Sequence, residues 1–404
     1  MSFDVRPAAS RDEFSDAFLA IGQYFGAEPL TDDRFARITR VLPLERMHAA
    51  FENGRVVGGA AAFPFELSVP GGIVRCSGVS IVGVYPTHRR RGVLRALMRA
   101  QLDAVHERGE PLAALWASEE TIYGRFGYGL ASWAGEVNLP REYSAFARPF
   151  ERRGTIRLVG RDEARELFPP LWRAQMRERP GMHGRADAWW DDRVLANQEW
   201  QEPGGPKRFV VCELDGEPRG YAIYRHHPKF EAGVSVAQVG VVEAIAVDPE
   251  AMAQLWRYLL DIDWAATVRA SLLPPDHPLF LLLATPRRAR CRLGDGLWVR
   301  VVDVGAALSA RAYASGDALV LEVADAFCPW NEGRWRLEGG AAAHTDDEPD
   351  LRLDADALGS AYLGGVGIRQ LAAAGRVVEL RPGALDRADA VFRWHVQPWS
   401  PEIF

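Results

Sequence analysis

The residues from Val79 to Arg95 carry side chains and spacings suited to holding a phosphorylated ligand. An apolar run, Val79–Val84, is followed by Pro86 and then by Arg89-Arg90-Arg91-Gly92. Apolar residues recur at Val93, Leu94, Leu97, Met98 and Leu102, which is helical spacing. The run reads as a buried strand, and the proline ends it because proline gives no N–H to a sheet ladder. A strand therefore leads through a glycine-bearing loop into a helix N-terminus. Free N–H groups and the helix dipole make such a terminus an anion site. Arginines at its mouth suit a pyrophosphate, since guanidinium grips phosphate oxygens in a two-pronged way. Farther on, Ser118-Glu119-Glu120 precede Thr121-Ile122-Tyr123-Gly124-Arg125-Phe126-Gly127-Tyr128-Gly129. Ser118 is expected to cap a short helix with acids in its first turn.

The flanking elements must position these groups. A strand is expected at Phe3–Arg6 and an amphipathic helix at Arg11–Phe25. Met47–Phe51 and Arg55–Ala62 flank Asn53-Gly54, a strong hairpin signal. Gly71-Gly72 turns the chain into the strand ending at Val84, and a helix over Gly92–His106 follows. Leu112–Trp116 reads as a short buried strand, and Leu130–Leu139 as the strand that closes the first unit. A second unit repeats this order. Lys207–Cys212 and Tyr221–Tyr224 flank Asp215-Gly216 as a hairpin, and Val239–Val247, Pro249 and a helix from Glu250 to Asp263 echo the first strand, proline and helix. The loop between them has no arginine and no glycine; its acids would repel a pyrophosphate, so this copy is expected to have lost its ligand. A third region begins near Leu297, with strands at Leu297–Val302 and Ala318–Val323 and an alternating stretch at Leu351–Leu363. Gln201–Pro206 and Glu338–Pro349 are expected to be exposed loops.

The 404 residues suggest two to four domains. An apolar share of 48% with 25% charged residues is that of an ordinary globular protein. A net charge of −6 argues against a nucleic-acid partner. Cys76, Cys212, Cys291 and Cys328 lack paired metal spacing and read as reduced thiols, which fits the cytoplasm. No window is long and apolar enough to span a membrane, and Asp4 interrupts any leader-like start.

Arg89-Arg90-Arg91-Gly92-Val93-Leu94 resembles the acyl-CoA loop of the GCN5-related N-acetyltransferases, Arg/Gln-x-x-Gly-x-Gly/Ala, with Leu94 where the pattern has a small residue. The three-part order, the 80–92 segment, the Ile-Tyr-Gly-Arg-Phe-Gly-Tyr-Gly segment at 122–129 and the terminal Phe404 together resemble the Eis (enhanced intracellular survival) family of acetyltransferases. The resemblance implies an α/β (α+β) chain. Two tandem GCN5-related N-acetyltransferase folds, the second degenerate, would occupy 1–150 and 151–295, with a sterol-carrier-protein-like α+β domain over 296–404. It implies acetyl-CoA as co-substrate and a homohexamer. It casts Tyr123 as general acid and the Phe404 carboxylate as general base.

Acetyl transfer from a thioester to an amine needs a base for the amine proton, a donor for the oxyanion, a proton for the thiolate and alignment. Val82, Gly83 and Val84 are expected to supply backbone groups to the thioester and pantetheine arm. Arg89, Arg90, Arg91, Gly92, Val93, Leu94 and Ser118 are expected around the rest of the cofactor. Tyr128 is the rival tyrosine, expected to pack. His88, Glu119 and Glu120 are rival bases, and Trp116, Trp133, Trp189 and Trp190 are expected in the core or pocket wall. The acceptor implied is a polycationic small molecule such as an aminoglycoside. Protein lysine side chains are an alternative. A lipid-carrier or scaffold role for the C-terminal module is another, which the intact arginine loop argues against.

Overall fold

The computed structural model describes residues 3–197 and 204–404. The chain divides into two compact units, each drawn from separate stretches of sequence. The first comprises 1–132, 297–395 and 403–404; the second comprises 133–296 and 396–402.

The first unit holds a seven-stranded sheet in the order Asp4–Pro7, Met47–Glu52, Arg55–Val69, Gly72–Val84, Leu112–Trp116, Leu297–Val301, Gly129–Leu130. Both expected turns form the first hairpins. Asn53 and Gly54 have φ of 52° and 75°, the left-handed pair of a tight hairpin turn. The helix Arg11–Gly22 packs on the sheet, with Ser10 accepting from the Glu13 N–H as its N-cap. It is shorter than expected, because the chain tightens at Gln23–Phe25. Helix Val93–Glu107 buries Val93, Leu97, Met98, Leu102 and Val105, the expected periodic face. The helix Asp32–Thr39, capped by Thr31, was not foreseen.

A second sheet in this unit runs Ala341–His344, Gly333–Glu338, Leu319–Ala324, Leu351–Asp354, Val377–Glu379. The alternation expected over Leu351–Leu363 holds only to Asp354. There the chain enters the helix Ala355–Tyr362, all but one of whose residues are buried. Between Glu338 and Pro349, the exposed stretch includes the edge strand Ala341–His344. Of the other expected loop, Gln201–Pro206, residues 201–203 lie outside the described residues, and 204–206 are in neither helix nor strand.

The second unit's sheet runs Arg292–Asp295, Trp133–Pro140, Ala265–Leu273, Ala237–Ala246, Glu217–His227, Arg208–Leu214, Thr155–Val159. Asp215 and Gly216 make its hairpin turn, with φ of 52° and 80°. The helix Pro249–Asp261 follows the strand Ala237–Ala246, so the repeat expected from the sequence is present in element order.

Two strands pair in a sheet other than the one their place in the chain suggests. Trp133–Pro140, expected to close the first unit, pairs in the second sheet with Ala265–Leu273 and Arg292–Asp295. Leu297–Val301, expected in the third region, sits between Leu112–Trp116 and Gly129–Leu130 of the first sheet. Alternation marks a strand without naming its partner, so the exchange was invisible to pattern.

Candidate active site

The strand Gly72–Val84 is irregular where the chemistry is expected. Gly83 pairs with Gly59 and Ser80 with Ala61, so Ile81 and Val82 together oppose Ala60. This is a β-bulge. Ile81 has φ of 55°, a costly conformation for a β-branched residue. On the other side, parallel pairing with Leu112–Trp116 covers only Cys76–Gly78. Beyond Gly78 the two strands part, and the edge of 79–84 facing that gap has no strand partner there.

Backbone alternation then sorts the expected donors. The Tyr85 N–H donates to the Val57 carbonyl at 3.0 Å, on the paired side. Successive residues of a strand point their polar groups to opposite edges, so the Val84 N–H faces the gap. Its carbonyl on that edge accepts from the Tyr24 hydroxyl at 2.9 Å. The Gly83 N–H faces the paired neighbour instead, which removes Gly83 as a donor to a ligand. Its missing side chain has another use: a Cβ there would collide with the Ile21 backbone of the packed helix. Val82 lies in the bulge and packs against the core beside Leu94.

The loop that follows is open. Arg89 and Arg90 are exposed; Arg89 lies over the Tyr24 ring at 5.9 Å, and Arg90 is left-handed at φ 60°. Gly92 is left-handed at φ 94°, with nothing near the place a Cβ would take. It is glycine for backbone conformation. Among the described residues no side chain caps the helix that starts at Val93, so its first N–H groups are left for a ligand. Arg91 differs from its neighbours. Its guanidinium holds both oxygens of Glu52, which His88 Nε2 also meets at 3.0 Å. Arg91 and His88 therefore brace the loop against the first hairpin. Val93 is buried and Leu94 packs on the core. Ser118 is exposed and caps nothing: the short helix Glu120–Tyr123 takes Glu119 as its N-cap residue, without a side-chain bond. Glu119 and Glu120 are exposed.

Tyr123 ends that helix, 6% exposed, in a core cluster with Val79, Met98 and Tyr128. Burial pushes its hydroxyl up to about 12, so it is a proton donor at any ordinary pH. Tyr128 meets it edge to face at 6.0 Å and is fully buried, the packing role expected. Phe404 is 8% exposed, its ring against Phe65 at 5.0 Å. Ser80 Oγ donates to its terminal carboxylate at 3.0 Å. The terminus is thus docked beside the bulge, while Ile403 is 56% exposed. Adjacent residues of one strand meet the two groups: Val79 shares a cluster with Tyr123, and Ser80 bonds Phe404. Ser80 was missed, although a hydroxyl within the apolar run Val79–Val84 was a readable signal.

The second unit has a matching strand and helix without the site. Val242 is the extra residue of a bulge opposite Ile223/Tyr224. The Asp248 carboxylate caps the following helix, accepting from the Ala251 N–H at 2.8 Å. The position a phosphate would take is filled by the chain's own anion. Near the bulge, buried Arg185 grips Glu243 at 3.1 and 2.6 Å and Glu402 at 3.0 Å. Tyr221 donates to Glu243 and Trp189 to Glu402. Although burial opposes ionisation, the Arg185 guanidinium holds the Glu402 carboxyl below its usual range. Trp189 and Trp190 are core residues of this unit.

Comparison with known proteins adds names to this geometry. Residues 4–131 and 181–301 each match an acetyltransferase (GNAT) domain model, and 304–401 match a sterol carrier protein domain. An uncharacterized N-acetyltransferase of Streptomyces avermitilis is 42% identical, across 89% of this chain and 90% of that protein. N-acetyltransferase Eis of Mycobacterium tuberculosis is 36% identical, across 83% of each. The crystal structure of Eis1 from Mycobacterium abscessus superposes with a TM-score of 0.87 at 33% identity, covering 99% of this chain and all of that one.

Proposed function

The chain belongs to the Eis family of GCN5-related N-acetyltransferases, and from that premise we propose its reaction: acetyl transfer from acetyl-CoA to a primary amine of a polycationic small molecule. The observation that carries the mechanism is the docking of the terminal carboxylate on Ser80, beside the bulge. A carboxylate delivered there can take the proton of an amine poised in the gap between the parted strands.

The residues present fit acetyl-CoA. The uncapped helix N-terminus, the left-handed Gly92 and the exposed Arg89 and Arg90 suit a pyrophosphate. Acetyl-CoA supplies the activated acyl group as a thioester. The Val84 N–H, aimed into the gap, donates to the oxygen that becomes negative during attack. Tyr123 faces a leaving thiolate whose reference pKa is about 8.5. At about 12, its hydroxyl would spend about 5 kcal/mol in handing over its proton completely. It therefore serves as a hydrogen-bond donor that stabilises the thiolate, short of full transfer. Exposed Glu119 and Glu120 at the start of its helix, with a net charge of −6, favour a cationic acceptor.

The test is an acceptor panel of an aminoglycoside, a linear polyamine and a lysine peptide with acetyl-CoA, read by thiol release. Preference for the aminoglycoside supports the proposal. Preference for the peptide moves the acceptor to protein lysine, and no release with any amine refutes acetyl transfer of this class. We propose a cytoplasmic homohexamer, which a monomer mass by light scattering would contradict. Among the described residues no helix is long and apolar enough to cross a membrane.

A further inference from the structure

The turn that carries Tyr123 is held from below by the strand Leu297–Val301 and by the sterol-carrier-like module. Arg300, on the strand Leu297–Val301, is fully buried. Its Nη2 donates to both oxygens of Asp325, at 2.8 and 2.6 Å. Asp325 is itself fixed, accepting from Asn331 Nδ2 and from the Cys328 N–H, each at 2.9 Å. Among the described residues the opposite edge of the guanidinium, Nε and Nη1, meets no oxygen or nitrogen partner, while the Cys328 side chain interacts with the same group. That edge lies against Gly127, where a Cβ would stand 2.6 Å from Nη1 and 2.7 Å from Cζ. Gly127 is also left-handed, at φ 81°.

Two further contacts hold the same turn. Phe126 meets Phe327 edge to face at 5.0 Å. Gly129 rests on the helix Ala355–Tyr362 so closely that any side chain there would overlap the Asp356 carbonyl. The turn is internally tied as well, with the Gly127 N–H donating to Gly124 at 2.9 Å and the Tyr128 N–H to the Tyr123 carbonyl at 3.4 Å. A displacement at 126–129 is therefore passed to Tyr123.

A buried ion pair gains little stability over apolar residues of equal volume. What Arg300 and Asp325 supply is a rigid plane of fixed orientation under a glycine. We propose that Arg300, locked by Asp325, is a positioning residue for Tyr123, and that the sterol-carrier-like module takes part in acetyl transfer by fixing the angle of that hydroxyl. The proposal rests on the Tyr123 hydroxyl being the donor to the leaving thiolate.

The experiment compares Arg300→Lys, Phe327→Leu and the paired Arg300→Met with Asp325→Leu, each with Tyr123 present and with Tyr123→Phe. With Tyr123, kcat should fall by about 10- to 100-fold, as expected for a misplaced catalytic group. Acetyl-CoA affinity by calorimetry should be unchanged. In the Tyr123→Phe background the same changes should cost nothing further, because groups acting as one unit are non-additive. Phe327→Leu leaves the ion pair intact and keeps the test alive should the paired change not fold. An unchanged kcat in cooperatively melting variants overturns the proposal, as does an equal fall in both backgrounds. Tyr123→Phe alone with full activity would remove the acid itself, a failure visible before any Arg300 variant is measured.

Discussion

Ser80→Ala removes a single hydroxyl, which donates to the terminal carboxylate 3.0 Å away. A hydrogen bond to a charged group contributes about 1.5–3 kcal/mol net. If that bond sets where the carboxylate rests, its loss lowers the docked-to-undocked ratio by about 10- to 150-fold, at 1.4 kcal/mol per tenfold. The Phe404 ring still packs on Phe65, so part of the anchoring survives and the lower end of that range is expected. The assay is steady-state acetylation at saturating acetyl-CoA, paired with calorimetric titration of CoA. The expected result is a fall in kcat of about tenfold or more with CoA affinity unchanged. Deleting Phe404 is the stronger version, because it moves the carboxylate to the exposed Ile403; that protein should fold, bind CoA and scarcely turn over. Full activity in the deletion protein would refute the terminal carboxylate as base and return the role to Glu119, Glu120 or a bound water. Full activity in Ser80→Ala alone would show that the hydroxyl does not position it.

Arg89→Ala with Arg90→Ala should weaken acetyl-CoA binding by at least about tenfold. Arg91→Ala should do so by less, since Arg91 is already tied to Glu52; calorimetry giving the reverse order would misplace the pyrophosphate. Tyr123→Phe should lower kcat, and the wild-type pH–rate profile should show no alkaline fall from Tyr123 below about pH 10, because burial raises its hydroxyl to about 12. Tyr128→Phe should be mild; the opposite ranking in kcat would exchange the two tyrosines. Burial, aided by Arg108, lowers His48 to about 4, so the unfolded chain binds the extra proton first. Stability from this group is full above about pH 6.5 and is lost as pH falls toward 4, by up to about 3 kcal/mol. His48→Gln should flatten the melting temperature over that window, and an unchanged slope would show that His48 does not set it.

What could be read in the sequence was local. The Asn53-Gly54 and Asp215-Gly216 turns, the strand Leu112–Trp116 and the face of Val93–Glu107 follow from turn chemistry and periodicity, which act over a few residues. The arginine loop was legible as an anion site, but the division of labour within it was not. Arg91 looks like Arg89 and Arg90 until Glu52, distant in sequence, takes its charge. Gly83 looked like a ligand contact for a similar reason. Its need for no side chain comes from the helix backbone at Ile21, a tertiary neighbour. Ser118 carried the right residue type for a cap, yet the helix began two residues later. The resemblance cast the Phe404 carboxylate as base but gave it no partner at Ser80, because nothing in a sequence pairs residues so far apart.

The exchange of strands also bears on how the chain folds as it is made. The first sheet cannot be completed by the first 150 residues. Gly129–Leu130 reaches it only through Leu297–Val301, which is synthesised more than a hundred residues later. Until then Leu112–Trp116 is an unpaired apolar edge of the kind that recruits other chains. Contacts this far apart in sequence slow folding and lengthen the exposed interval. A fragment cut after the first matched acetyltransferase region should therefore aggregate instead of behaving as a free catalytic domain, and chaperone demand should peak before the ribosome reaches Val301.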